Sequence, residues 1–263
     1  MKPFRCFSLT TITLFILALL IAMPAPAVDI KNMNEAINKA GRQRMLSQRI
    51  VKAYALQGIH IQEKEAKKQL KDAVILFEKQ LAELKSFAPN NRVRKGLEKV
   101  EKLWLPFKAT ATGPITREGA KKLLETNDDL LRAAHNVVNM LQDIAGTSSG
   151  RLVNISGRQR MLSQRLAKFY TYTVWGFKQS EILNEMERAK NEFRGALDEL
   201  IAAPENTTEL NKKLKQAKLQ WDLYKHGLER KEKQIPLTMA MTSEKLLIIM
   251  NEITGLYAAL PEK

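Results

Sequence analysis

The residues in this chain best placed to do chemistry are a run of nine, Gly41-Arg42-Gln43-Arg44-Met45-Leu46-Ser47-Gln48-Arg49, which recurs without change as Gly157 to Arg165. Three cations among neutral donors, with no acid in the run, is the composition of an anion site. On a helix, at about 100° per residue, Arg44 shares a face with Ile37, Ala40, Gly41, Ser47, Gln48 and Val51. Arg160 shares its face with Val153, Ser156, Gly157, Ser163, Gln164 and Ala167, while Arg42 and Arg49 point the other way. One arginine per copy therefore lies in a stripe of small, apolar and neutral polar residues, with no acid on that stripe. Burying an unpaired guanidinium costs several kcal/mol. Each must reach solvent, meet a carboxylate from another helix (Glu78, Glu83, Asp128 and Asp129 are candidates), or bind an anion. Gly41 and Gly157, one turn earlier, leave room for a close neighbour or a small ligand. Ser47, Ser163, Gln48 and Gln164 bring uncharged donors to the same level. A planar fork of N–H groups suits a small planar oxyanion. The candidate anion-binding set is thus Arg44, Arg160, Gly41, Gly157, Ser47, Ser163, Gln48 and Gln164.

Other chemistries find little support. His60, His135 and His226 fall at non-equivalent positions in the two copies, and none has the spacing to His or Glu that a metal site uses. Ser47 has no histidine near it on its own helix to activate it as a nucleophile. The methionines and aromatics are scattered as core residues are. No enzyme activity, metal or cofactor is expected.

The elements that carry the motif come from a duplication. At an offset of 116 residues Asn38 pairs with Asn154, Lys52 with Lys168 and Tyr54 with Tyr170. Ala73, Phe77, Leu81 and Leu84 pair with Ala189, Phe193, Leu197 and Leu200. Trp104 and Lys108 match Trp221 and Lys225 one residue later, so one residue has been inserted in a loop. Apolar residues recur at three- and four-residue steps in each unit, which predicts four helices per copy. Ala88-Pro89-Asn90 and Ala203-Pro204-Glu205-Asn206 are the corresponding breaks. The third helix is expected to end near Pro106 or in the Thr-rich stretch up to Pro114. The fourth presents Leu124, Leu131, His135, Val138 and Leu141 to the core. The fold class is all-α, two tandem up-down four-helix bundles. The short join Gly146 to Gly150 allows either an elongated arrangement or a side-by-side internal pseudo-dimer.

Lys2 and Arg5, an apolar run from Thr11 to Met23 and the small-x-small triplet Ala25-Pro26-Ala27 read as a secretory signal over residues 1–27. The first bundle is then assigned to 28–146 and the second to 147–263, in the periplasm. The one cysteine, Cys6, falls in the signal, so disulfides play no part in stability. No later apolar segment is long enough to span a bilayer; Leu246 to Met250 is five residues. The net charge of +15 is spread over polar helix faces and favours anionic ligands or surfaces over nucleic acid.

The motif, led by an Asn three residues upstream, resembles the start of the type IV pili methyl-accepting chemotaxis transducer N-terminal domain (PilJ-type). That domain is similar to the NarX-like periplasmic sensor domain of nitrate- and nitrite-responsive kinases. Asn38-Lys39-Ala40-Gly41, Arg44-Met45, Ser47 and Arg49-Ile50 fit its pattern, as do Asn154, Gly157, Arg160-Met161, Ser163 and Arg165-Leu166. The resemblance implies a four-helix bundle sensing nitrate or nitrite, with the motif arginine of each of two subunits gripping one anion across a homodimer axis. The corresponding residues here are Arg44 and Arg160. Two copies in one chain imply that the second copy stands in for the second subunit; fused end to end, each motif would instead meet its counterpart in a second chain. Two such cations at ~5 Å, in an effective dielectric near 20, repel by roughly 3 kcal/mol, a term an anion between them would reverse. The resemblance also implies a membrane sensor or pilus-related partner. The competing expectation is a structural or adaptor bundle in which the motif serves packing or dimerisation.

Overall fold

The computed structural model describes residues 30–177, 180–229 and 235–261, and the expected signal segment lies outside them. Eight helices follow in order: α1 (Met33–Gly58), α2 (Glu63–Phe87), α3 (Asn91–Ala111), α4 (Arg117–Ala145), α5 (Ser148–Val174), α6 (Ser180–Ile201), α7 (Thr208–Glu229) and α8 (Pro236–Ala258). No strand occurs among the described residues.

Local chemistry sets the ends. Asn32, Asn90, Thr116 and Thr147 each turn a side-chain oxygen onto a backbone N–H of the first turn that follows. Pro89 and Pro204 lie in the breaks, as expected. Pro106 does not end α3, which continues to Ala111. The ring sits on the solvent side, where water can satisfy the carbonyl that loses its N–H partner.

Within each copy the first helix packs on the second and fourth, and the third packs on the fourth. The same stacked pair marks both cores: Phe77 on Trp104, with ring centroids 3.9 Å apart, and Phe193 on Trp221, at 4.2 Å. The two copies then join side by side. Gly146, at φ +60, and Thr147 are the only residues between α4 and α5, so the chain reverses there rather than running on. As a result α5 lies parallel to α1 and in register with it. Asn34 Nδ2 donates to Ser149 Oγ at 3.1 Å near one end, and the Tyr54 and Trp175 rings are 6.5 Å apart near the other. The α1–α5 contact is the most extensive between any two helices. This is the internal pseudo-dimer, not the elongated alternative.

Because α1 touches α2, α4 and α5, and α5 touches α1, α6 and α8, both are buried on almost every side. Their charges must be answered inside the protein. Lys52, fully buried, pairs with Glu244 of α8, which Arg49 also contacts at 2.5 Å. In the other half Arg165 pairs with Asp128 of α4 at 3.2 Å, and Lys168 donates to Asn127 Oδ1 at 2.9 Å. Each motif helix is thus tied to the fourth helix of the other copy. This also corrects the expected core face of α4. Ala120, Leu123, Asn127, Leu130, Ala134, Val137, Val138 and Leu141 are buried, whereas Leu124, Leu131 and His135 are only partly so. Leu131 and His135 face the seam with α5 instead, because α4 borders both its own core and the other copy.

A Cβ on Gly58 would stand 2.1 Å from the Trp175 ring, which is held by Tyr54, Tyr172 and Phe177 and cannot step aside. Gly58→Ala is expected to destabilise by about 1–3 kcal/mol. Gly195, helical, exposed and with nothing within 4 Å, is the control: Gly195→Ala is expected to stabilise by up to about 1 kcal/mol. Urea denaturation midpoints of the two variants check both signs.

Candidate functional site

The parallel pairing of α1 and α5 brings the two copies of the motif face to face. Arg44 and Arg160 are both fully buried. The Nη2 of Arg44 and that of Arg160 lie 3.2 and 3.5 Å from where a Cβ on Gly41 would stand. They lie 3.5 and 3.1 Å from the same point on Gly157. The two guanidinium groups therefore meet over a floor of two glycines, and an alanine at either position would press on the guanidinium of its own helix.

Each arginine finds neutral acceptors, an asparagine of the opposite copy and a side chain on the fourth helix of its own copy. Arg44 donates through Nη2 to the Asn154 carbonyl at 3.2 Å, and through Nη1 to His135 Nδ1 at 3.1 Å. Arg160 donates to Asn38 Oδ1 at 2.8 Å, the Asn38 carbonyl at 3.1 Å and Asn251 Oδ1 at 3.0 Å. His135 and Asn251 occupy equivalent positions in α4 and α8, so the two half-sites share a plan but differ in one side chain. Among the described residues neither arginine pairs with an acid, and each keeps a buried Nε without a partner. The acids that the sequence offered are engaged elsewhere: Glu78 with Lys108, Glu83 with Lys39, Asp128 with Arg165 and Asp129 with Arg132.

The electrostatics follow from this. Burial pushes Arg44 down to about 9; Arg158 adds to the shift and Glu192 opposes it. Burial, with Arg42 and Arg44 adding to it, holds Arg160 well below its usual value. A guanidinium keeps its proton at neutral pH even so.

Ser47 and Ser163 stand on the predicted face, but their hydroxyls donate to the carbonyls of Arg44 and Arg160 at 2.9 and 2.8 Å. Gln48 Nε2 donates to Ser47 Oγ at 3.2 Å and Gln164 Nε2 to the Ser243 carbonyl at 3.2 Å, leaving the Oε1 of both buried without a partner. Arg42 and Arg158 come closer than the helical wheel indicates. Arg42 Nη2 donates to Asn251 Oδ1 at 3.2 Å, and Arg158 Nη1 lies 3.5 Å from His135 Nε2. These two arginines, His135, Asn251 and the acceptors Asn38 and Asn154 complete the arrangement. Arg42 and Arg158 and the asparagine pair are repeated at the same offset as the central arginines, whereas His135 and Asn251 differ between the copies and left no such signal in the sequence. No cluster of His, Cys, Asp and Glu suited to a metal occurs among the described residues, and none of their helices is long and apolar enough to cross a membrane.

The model of the PilJ family, described as the type IV pili methyl-accepting chemotaxis transducer N-terminal domain, matches residues 29–137 and again 146–245. The chain belongs to this family of sensory domains and carries two tandem copies of its domain. No curated protein and no solved structure matches it.

His135 gives the site a pH signature. Burial, then Arg44 and then Arg158 lower its pKa from 6.5 to about 4. The unfolded chain therefore binds a proton between those values and the folded chain does not, so stability is full above about pH 6.5 and falls as pH drops toward 4. His135→Asn, which installs the residue of the other half-site, is expected to flatten that slope. Urea midpoints between pH 7 and 5, above the range where carboxylates titrate, provide the measurement.

Proposed function

We propose that the chain is a periplasmic sensor-type binding module in which one small planar oxyanion, nitrate or nitrite, sits between Arg44 and Arg160. The observation that supports this most directly is the pair of buried guanidinium groups facing each other over Gly41 and Gly157 without an acid. Two like charges so placed destabilise the fold, and an anion between them turns repulsion into attraction. Planar forks of N–H donors match a planar anion in geometry as well as charge. Ser47, Ser163, Gln48 and Gln164 stand one turn further along the same two helices. Turning over the amide of either glutamine would present N–H groups in place of an unpartnered oxygen. Family membership supports a sensory role, with occupancy reported to a membrane-borne or pilus-linked partner. No catalytic step enters this reading.

One observation favours a second reading, a structural or adaptor bundle. Both arginines already donate across the copies, to the carbonyls of Asn154 and Asn38, and so act as cross-links without a ligand.

Nitrate or nitrite in chloride-free buffer is expected to raise the melting temperature, by about 2.7 kcal/mol of added stability at a hundred times Kd. Calorimetry should give one anion per chain, with binding lost in Arg44→Ala and in Arg160→Ala alike. Two independent sites, each surviving loss of the other arginine, overturn the shared site. No shift with either anion transfers the assignment to the adaptor reading.

A further inference from the structure

On the side of the first copy, a cavity of about 250 Å³ lies in the seam between α4 and α5, lined by Arg44, Asp128, Leu131, Arg132, His135, Arg158, Met161 and Arg165. At about 30 Å³ per water it has the room of roughly eight waters, far more than a three-oxygen anion fills. We propose that this cavity is a second ligand site, for a small organic monocarboxylate with a compact apolar body, distinct from the space between Arg44 and Arg160.

The charges set the valence. Arg165 is answered by Asp128 and Glu185, and Arg158 by Glu192. That leaves Arg44, fully buried with its Nε unpartnered, at the inner end; Arg132, exposed at the mouth, is paired with Asp129 of its own helix at 3.6 Å. Asp128 on the rim works against a second negative charge on the ligand. A single carboxylate satisfies the inner guanidinium in the geometry that suits it best. Leu131 and Met161, partly and fully buried, give the walls beyond it an apolar surface that would otherwise face water. Convergent polar groups at one end of an apolar-walled cleft are the usual build of a small-molecule site.

The duplication supplies an internal comparison. At the position of Arg132 the second copy has Ile248, and at that of His135 it has Asn251. The side with the mouth cation and the imidazole is the side with this cavity, so the carboxylate site belongs to the first copy's half of the seam.

Calorimetry with benzoate, and with acetate as the carboxylate lacking an apolar body, tests this. Benzoate is expected to bind one per chain and at least tenfold more tightly than acetate. Leu131→Trp, which fills the cavity, should abolish benzoate binding in a chain shown by circular dichroism to be folded. Arg132→Ile, an exposed change to the second copy's own residue, should weaken it severalfold whether or not the tryptophan variant folds. Arg160→Ala, outside this cavity, should leave benzoate binding intact while removing nitrate. Failure of nitrate alone therefore strikes the central site and not this one. No benzoate binding, equal affinity for acetate, or benzoate binding unchanged in Arg132→Ile and in folded Leu131→Trp overturns the proposal.

Discussion

The parallel, in-register contact of α1 with α5 is the constraint to which the rest of the protein answers. It encloses both motif helices between three others, so the charges buried on them must find their partners inside. Lys52, Arg49, Arg165 and Lys168 do so by reaching the fourth helix of the opposite copy. Arg44 and Arg160, closest to the pseudo-axis, face only backbone, amide and imidazole acceptors, and each other. Removing one partner of a buried pair is expensive, so the outer pairs hold the seam closed. That closure keeps the central cations together despite their repulsion.

Much of the fold was legible in the sequence because it depends on local signals. The duplicated nine-residue run, the apolar spacing and the Pro-containing breaks specify eight helices in two equivalent sets, and the stacked Phe77–Trp104 and Phe193–Trp221 pairs repeat as the offset requires. The choice between end-to-end and side-by-side packing was not legible from length alone. It turns on the left-handed backbone at Gly146 and the cap at Thr147, which reverse the chain within two residues.

The site was legible in its centre and not at its edges. A helical wheel places Arg44 and Arg160 on the small-residue face, and that is where they pack. It treats side chains as short spokes, and so missed Arg42 and Arg158, whose length carries them around the helix to Asn251 and His135. It also read α4 as having one buried face. Leu131 and His135 instead line a border that exists only once the second copy is in place. Ser47 and Ser163 lie where the wheel puts them, but a hydroxyl inside a helix has a carbonyl of the previous turn within reach, a preference that face assignment ignores.

The two-residue turn at Gly146 and Thr147 has a consequence for any ligand that bridges the copies. In a homodimer, such a site exists only as far as subunits meet, so its occupancy depends on how much protein is present. Here the halves are held by one covalent connection at a fixed and very high effective concentration. Binding becomes a property of the single molecule, insensitive to dilution. The halves are also released from the identity that symmetry imposes on a homodimer, a freedom already used where one carries His135 and the other Asn251.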